Sequence, residues 1–173
     1  MTVKKKLIIV ITCITALCFT KTYGQKIPED LGQITFYCFK SNNLDSFYKL
    51  IPTINEVAEF GKTLGVDSNS TEFQEFIKRY PLVIQHFKQL CKNLQVDTTE
   101  LNFSWTKAKL ERIEKSEKTI PIDNRNPNSK TAILTIVDIY FTSNGETLKL
   151  TLGDANDYSG IWKPGNNIAL RIQ

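Results

Sequence analysis

The residue pattern predicts an α+β domain, with N-terminal helices packed on a curved antiparallel sheet of about four strands. Two features call for it. From Pro28 to Gln95 apolar residues recur three and four positions apart, the period of amphipathic helices. From Phe103 onward the period falls to two, and Asn144-Gly145 supplies a tight hairpin. Helices that precede hairpins in the chain, rather than alternating with strands, pack together on one face of an antiparallel sheet.

Residues 1–24 stand apart from this domain. Lys4, Lys5 and Lys6 precede an apolar run from Leu7 to Phe19, and Thr22-Tyr23-Gly24 follows with small residues at its ends. That is the layout of a secretory signal peptide, cut after Gly24 to leave Gln25 as the mature N-terminus. The run is too short to span a bilayer. Leu17 is a poor neighbour for a lipid-modified Cys18, and Cys13 comes too early in the run, so a lipoprotein is not expected. The expected location is secreted or periplasmic, and residues 25–173 form one domain without a membrane span.

The helical half begins at Pro28-Glu29-Asp30, where proline suits the first turn and acids favour the helix N-terminus. Ile27, Leu31, Ile34 and Cys38 form its apolar stripe. Asn43 starts a short second helix, Leu44 to Ile51. Thr53 and Glu56 have capping-box spacing at the start of a third, whose stripe is Ile54, Val57, Phe60 and Leu64. Residues 71–95 carry the strongest helical signal: Phe73, Phe76, Ile77, Tyr80, Ile84, Phe87, Cys91 and Leu94. Pro81 predicts a kink or a break there.

In the strand half, Phe103 and Trp105 open a strand expected to run to about residue 118. Glu111 with Lys115 and Glu114 with Lys118 also fit helix pairs, so residues 107–118 remain open between strand and helix. Thr131–Thr142 is rich in branched and aromatic residues and reads as a strand. Asn144-Gly145 turns it into Thr147–Leu152. Gly153–Asp157 reads as a turn, and Tyr158–Trp162 and Ile168–Ile172 as closing strands about Pro164-Gly165.

The chain carries a formal charge of +4. All four charged residues before Gln25 are lysines, so the remainder is balanced and shows no basic stripe for nucleic acid. Catalytic constellations are missing. His86, the sole histidine, falls off the apolar stripe, and no G-x-S-x-G, C-x-x-C, H-E-x-x-H or phosphate-binding glycine loop occurs. Asp154-Ala155-Asn156-Asp157 offers oxygen ligands but lacks EF-hand spacing, and reads as a polar turn. No metal and no cofactor is expected. Cys38 and Cys91 both lie on apolar stripes, and an oxidising compartment would permit a bridge between them or leave them as core thiols.

One acid breaks an apolar run. Alternation sets Leu134, Ile136, Asp138 and Tyr140 on one face of their strand, and Ile133, Thr135, Val137, Ile139 and Phe141 on the other. If the first face lines a pocket, Asp138 is a general-base candidate and Tyr140, Trp105 and Trp162 are ligand contacts. If it is the outer face, Asp138 is solvated or paired across strands.

The first helix around Leu31–Phe39, the segment Asn43-Leu44-Asp45-Ser46-Phe47 and the closing Gly160-Ile161-Trp162-Lys163 resemble the nuclear transport factor 2-like superfamily, which includes ketosteroid-isomerase and SnoaL-type proteins. The order of helices and meander also fits cystatin-like folds. The resemblance implies a cone between helices and sheet, with members that bind small molecules, act on them, or dimerise through the sheet. The expected function is an exported, non-catalytic binding module for a small apolar molecule in the cone or an envelope protein on the sheet. The alternatives are an isomerase- or dehydratase-like enzyme using Asp138, and an envelope accessory or inhibitor without a pocket.

Overall fold

Each helix starts where a side chain can occupy its unpaired amides. In the computed structural model, which describes residues 25–96, 102–121 and 131–173, α1 spans Pro28–Lys40. The Asp30 carboxylate accepts from the amides of Lys26 and Ile27, at 3.1 and 3.3 Å. Helix α2 (Leu44–Tyr48) is capped by Asn43, whose side chain accepts from the Ser46 amide. Helix α3 (Ile54–Thr63) carries the predicted capping box. Thr53 Oγ1 accepts from the Glu56 amide at 3.3 Å, and the Glu56 carboxylate accepts from the Thr53 amide at 2.7 Å. Helix α4 (Thr71–Gln95) starts at Ser70 and runs through Pro81 as one element. The expected break is absent; Pro81 lies on the exposed side, and the loss of one backbone bond is absorbed within a 25-residue helix.

The strands are β1 (Lys109–Pro121), β2 (Thr131–Ser143), β3 (Glu146–Asp157), β4 (Trp162–Lys163) and β5 (Asn167–Ile172). They form one antiparallel sheet in the order β1-β2-β3, with β4 and β5 both paired to β3. Asn144 and Gly145 both have positive φ, 51° and 91°, as the two-residue turn between β2 and β3 requires.

Residues 109–121 form the expected strand rather than the helix that the charge pairs also allowed, because pairing with β2 along its whole length outweighs those pairs. Two sequence expectations are corrected. The strand starts later than expected, and Trp105 lies on a 3-10 turn, Trp105–Lys107. Gly153–Asp157 is no turn: it continues β3 through a bulge. Thr135 pairs with Ala155 and Val137 with Leu152, and Asp154 takes φ 57° to absorb the extra residue. The backbone of Gly165 lies against this bulge, where any Cβ would meet the Asp154 carbonyl.

The core fills the space between helices and sheet. Leu31, Phe36 and Phe39 of α1, Phe47 of α2, and Phe87 and Cys91 of α4 meet Val137, Ile139 and Phe141 of β2 and Leu148, Leu150 and Leu152 of β3. Helix α1 approaches most closely at Gly32, whose absent side chain leaves room for Ile113 and Val137. Cys38 and Cys91 are both buried free thiols. Burial pushes the Cys91 thiol up to about 12 and raises Cys38 as well. The expected signal segment lies outside the described residues. Among the described residues, no helix is long and apolar enough to cross a membrane.

Candidate functional site

The alternation of β2 assigns the two faces. Val137, Ile139 and Phe141 are fully buried under the helices. Leu134, Ile136, Asp138, Tyr140 and Thr142 point the other way, onto a sheet face that no described element covers, and are partly exposed. Asp138 is therefore outside the core between helices and sheet. Its Oδ1 accepts from Thr151 Oγ1 at 2.5 Å and its Oδ2 from Lys149 Nζ at 3.3 Å. Both partners come from β3, where Thr151 is directly opposite Asp138 and Lys149 opposite Tyr140. With side chains 20% and 22% exposed, Asp138 and Lys149 form a cross-strand pair at the surface.

Tyr140 sits between two cations. The Arg112 guanidinium lies 3.8 Å from its ring centroid, and the Lys149 ammonium lies 5.8 Å away. Arg112 also donates from Nε to Glu114 at 2.7 Å. The register extends the row: Arg112 faces Tyr140, Tyr140 faces Lys149, and Lys149 faces Arg171 of β5. Three cations and one aromatic ring thus cross four strands, with Glu114 and Asp138 in the next row.

The four residues expected to contact a ligand do not converge. Trp105 is in the core, 1% exposed, and stacks on Phe141 at 5.1 Å. Its indole Nε1 donates to the Leu94 carbonyl at 2.6 Å, which ties the end of α4 to the start of the sheet. Trp162 is half-buried at the far end of β3, and its amide donates to the Gln25 carbonyl at 2.7 Å. Only Asp138 and Tyr140 share a surface. His86 is exposed, as expected.

A second concave region lies where α3, α4 and the β3–β4 bend meet. A cleft of about 190 Å³ is lined by Val57, Phe76, Tyr80, Ile84, Asn156 and Tyr158, among others. Tyr80 donates to the Pro52 carbonyl at 2.6 Å. Burial pushes the Tyr158 phenol up to about 12, with the Glu56 charge adding to it, and raises Tyr80 further. Both phenols keep their protons at neutral pH, so each can donate a hydrogen bond there as well as accept one. Beyond Tyr158 a broader open depression of about 680 Å³ is edged by Glu56, Glu59, Phe60 and Asp157.

Glu56 anchors this end. Its Oε1 accepts from Lys163 Nζ at 2.6 Å, linking α3 to β4 across 107 residues of sequence. Burial alone would raise the Glu56 carboxyl, but the hydrogen bonds from Lys163 and Thr53, with the lysine charge, outweigh it and hold it below its ordinary value. Sequence reading missed this pair, because nothing local to Glu56 or Lys163 signals a partner so far along the chain. Among the described residues, no three histidine, cysteine or acidic side chains gather as metal ligands. Asp154 and Asn156 line the small cleft, where the Asn156 side chain donates to the Asp154 carbonyl at 2.8 Å.

No protein-family model, no curated protein and no solved structure matches this chain.

Proposed function

We propose that this chain is an exported, non-catalytic binding module that engages a partner protein through the open face of its sheet. The observation that carries this reading is the division of β2. Val137, Ile139 and Phe141 are fully buried under the helices, while Asp138 and Tyr140 face out on a surface that no described element covers. The packed side chains between α1 and the middle of the sheet leave no room there for an apolar ligand. The cleft beside Tyr158, about 190 Å³, is below the roughly 300 Å³ at which small-molecule sites begin. The wider depression is open to solvent, lined by Phe60, Tyr158 and Ile161 with Glu59 and Asp157 at its edge, and does not enclose a ligand.

The open face has the composition of a recognition surface. An aromatic ring is held between cations, with Ile136 and Leu134 farther along the same face of β2, and arginine and tyrosine are the residue types that anchor protein interfaces. Asp138 supports this role by fixing Lys149 rather than by moving protons: both carboxylate oxygens already accept hydrogen bonds. Export is supported by the sequence of residues 1–24.

Affinity capture from the medium and envelope of the producing cell tests the proposal. Wild type and Lys78→Glu, altered on the exposed side of α4, are expected to retain the same partner. Tyr140→Ala combined with Arg112→Ala is expected to lose it while keeping the fold. Capture indifferent to the double substitution would defeat the assignment of the face. A small molecule retained in native mass spectrometry, with no protein partner, would defeat the reading in favour of a ligand carrier. The mass of the mature N-terminus checks export separately.

A further inference from the structure

We infer that β1 is a self-association edge, and that two copies of this chain join their sheets by antiparallel pairing of β1 about a two-fold axis at Ser116. β1 ends the sheet: one side pairs with β2, and no described strand pairs with the other. A long strand edge left open this way is a template for another strand. Two features limit how much of this edge can pair. A bulge between Leu110 and Arg112 breaks the regular ladder at one end. Pro121, which has no amide to donate, closes the other. The regular stretch between them runs from Arg112 to Ile120, and its midpoint is Ser116.

The charges on that stretch complement themselves about the same midpoint. Side-by-side antiparallel pairing of identical strands keeps like faces together, so residues opposite each other share a face. Centred on Ser116, Glu114 of one copy faces Lys118 of the other, and Lys115 faces Glu117. Symmetry doubles both, giving four opposite-charge contacts directly across the junction. Ile113 faces Thr119 and Arg112 faces Ile120. The faces agree with the register to β2: Glu114 and Lys118 lie on the open face with Asp138 and Leu134, while Lys115 and Glu117 lie on the other with Val137 and Thr135. The neighbouring registers are repulsive. An axis at Lys115 opposes that lysine to its own copy and Arg112 to Lys118; an axis at Glu117 opposes two glutamates. The side chains concerned are exposed, those of Lys115 and Glu117 at 49% and 54%, so they are free to exchange contacts within the chain for contacts across the junction.

Charge on an edge strand usually blocks pairing with other chains. Here it opposes like charges in the adjacent registers and complements itself about Ser116, which selects a second copy of the same chain as occupant. The pairing would form about eight to ten backbone hydrogen bonds and merge the two open faces into one continuous surface. It does not depend on what binds that face.

Cross-linking of the protein as the producing cell leaves it provides the test. In antiparallel pairs, opposed Cα atoms are roughly 4.5–5.5 Å apart, within disulfide range. Ser116→Cys is expected to form a covalent dimer under mild oxidation. Thr119→Cys, equally exposed but about 20 Å from its own copy in this register, is expected not to. Cys38 and Cys91 are buried and do not compete. Sedimentation then reads the charges: Glu114→Lys alone is expected to weaken the dimer by about tenfold or more, and Glu114→Lys with Lys118→Glu to restore it. A monomer at the highest soluble concentration, cross-linking at Ser116→Cys no faster than at Thr119→Cys, or a double variant as weak as the single would each overturn the inference.

Discussion

Among individual residues, Lys163 and Glu56 form a hydrogen-bonded ion pair that joins α3 to β4 and closes that end of the molecule. Because the folded-state carboxyl of Glu56 lies below its unfolded value of 4.5, the pair's contribution is complete above that value. It is lost as pH falls through the folded value, since the unfolded chain takes up the proton first. Lys163→Met is therefore expected to lower the urea midpoint at neutral pH, and to flatten the dependence of that midpoint on pH below 4.5. An unchanged acid limb in the variant would show that the ion pair is not the source. The two thiols make a second residue-scale case. Burial both shields Cys38 and Cys91 and disfavours their thiolates. A thiol reagent in mildly alkaline solution should leave them unmodified in the native protein and label both after denaturation without reductant. Failure to label after denaturation would mean that the two are bridged.

At the scale of elements, α1 packs tightly on the β1–β2 pair at Gly32. A Cβ on Gly32 would lie 2.9 Å from Ile113 Cγ2 and 3.0 Å from Val137 Cγ1, both on stiff β-branched side chains. Two effects oppose each other in Gly32→Ala. Helix propensity favours alanine by about 1 kcal/mol, and overpacking costs about 1–3 kcal/mol. The net expectation is a loss of roughly 1 kcal/mol. In an Ile113→Ala background only the Val137 contact at 3.0 Å remains, and the same substitution should cost less. Equal effects in the two backgrounds, measured by denaturant unfolding, would mean that the helix sits farther from the sheet. Elements whose signals are local were legible in the sequence: the Thr53–Glu56 capping box, the Asn43 cap and the Asn144-Gly145 turn. Elements decided by distant pairing were not. Gly153-Asp154 has the composition of a turn, yet pairing on both sides carries the strand through it as a bulge. Phe103 and Trp105 alternate like a strand, but Trp105 is drawn into the core at the end of α4. The charges of β1 fit a helix equally well until β2 is placed beside them.

For the molecule as a whole, the decisive question was which face of β2 is the core, and composition alone left it open because both faces carry branched apolar residues. The helices decide it, since they cover Val137, Ile139 and Phe141 and leave the alternate residues to solvent. Phe141 and Tyr140 are thus neighbours in sequence with opposite tasks. Phe141 is fully buried and touches the rings of Phe36, Phe103 and Trp105, so its loss opens a cavity where both layers and the 3-10 turn meet. Phe141→Ala is expected to cost about 3–5 kcal/mol, a large part of the 5–15 kcal/mol available to a typical domain. Tyr140→Ala removes a ring held mainly by Arg112 and Lys149 on the outer face, and should cost no more than about 1 kcal/mol while weakening partner capture. Chemical denaturation of the two variants, beside the capture assay, separates the tasks. A large loss of stability from Tyr140→Ala, or a small one from Phe141→Ala, would reverse the faces and return Asp138 to the interior, where it could again act as a base.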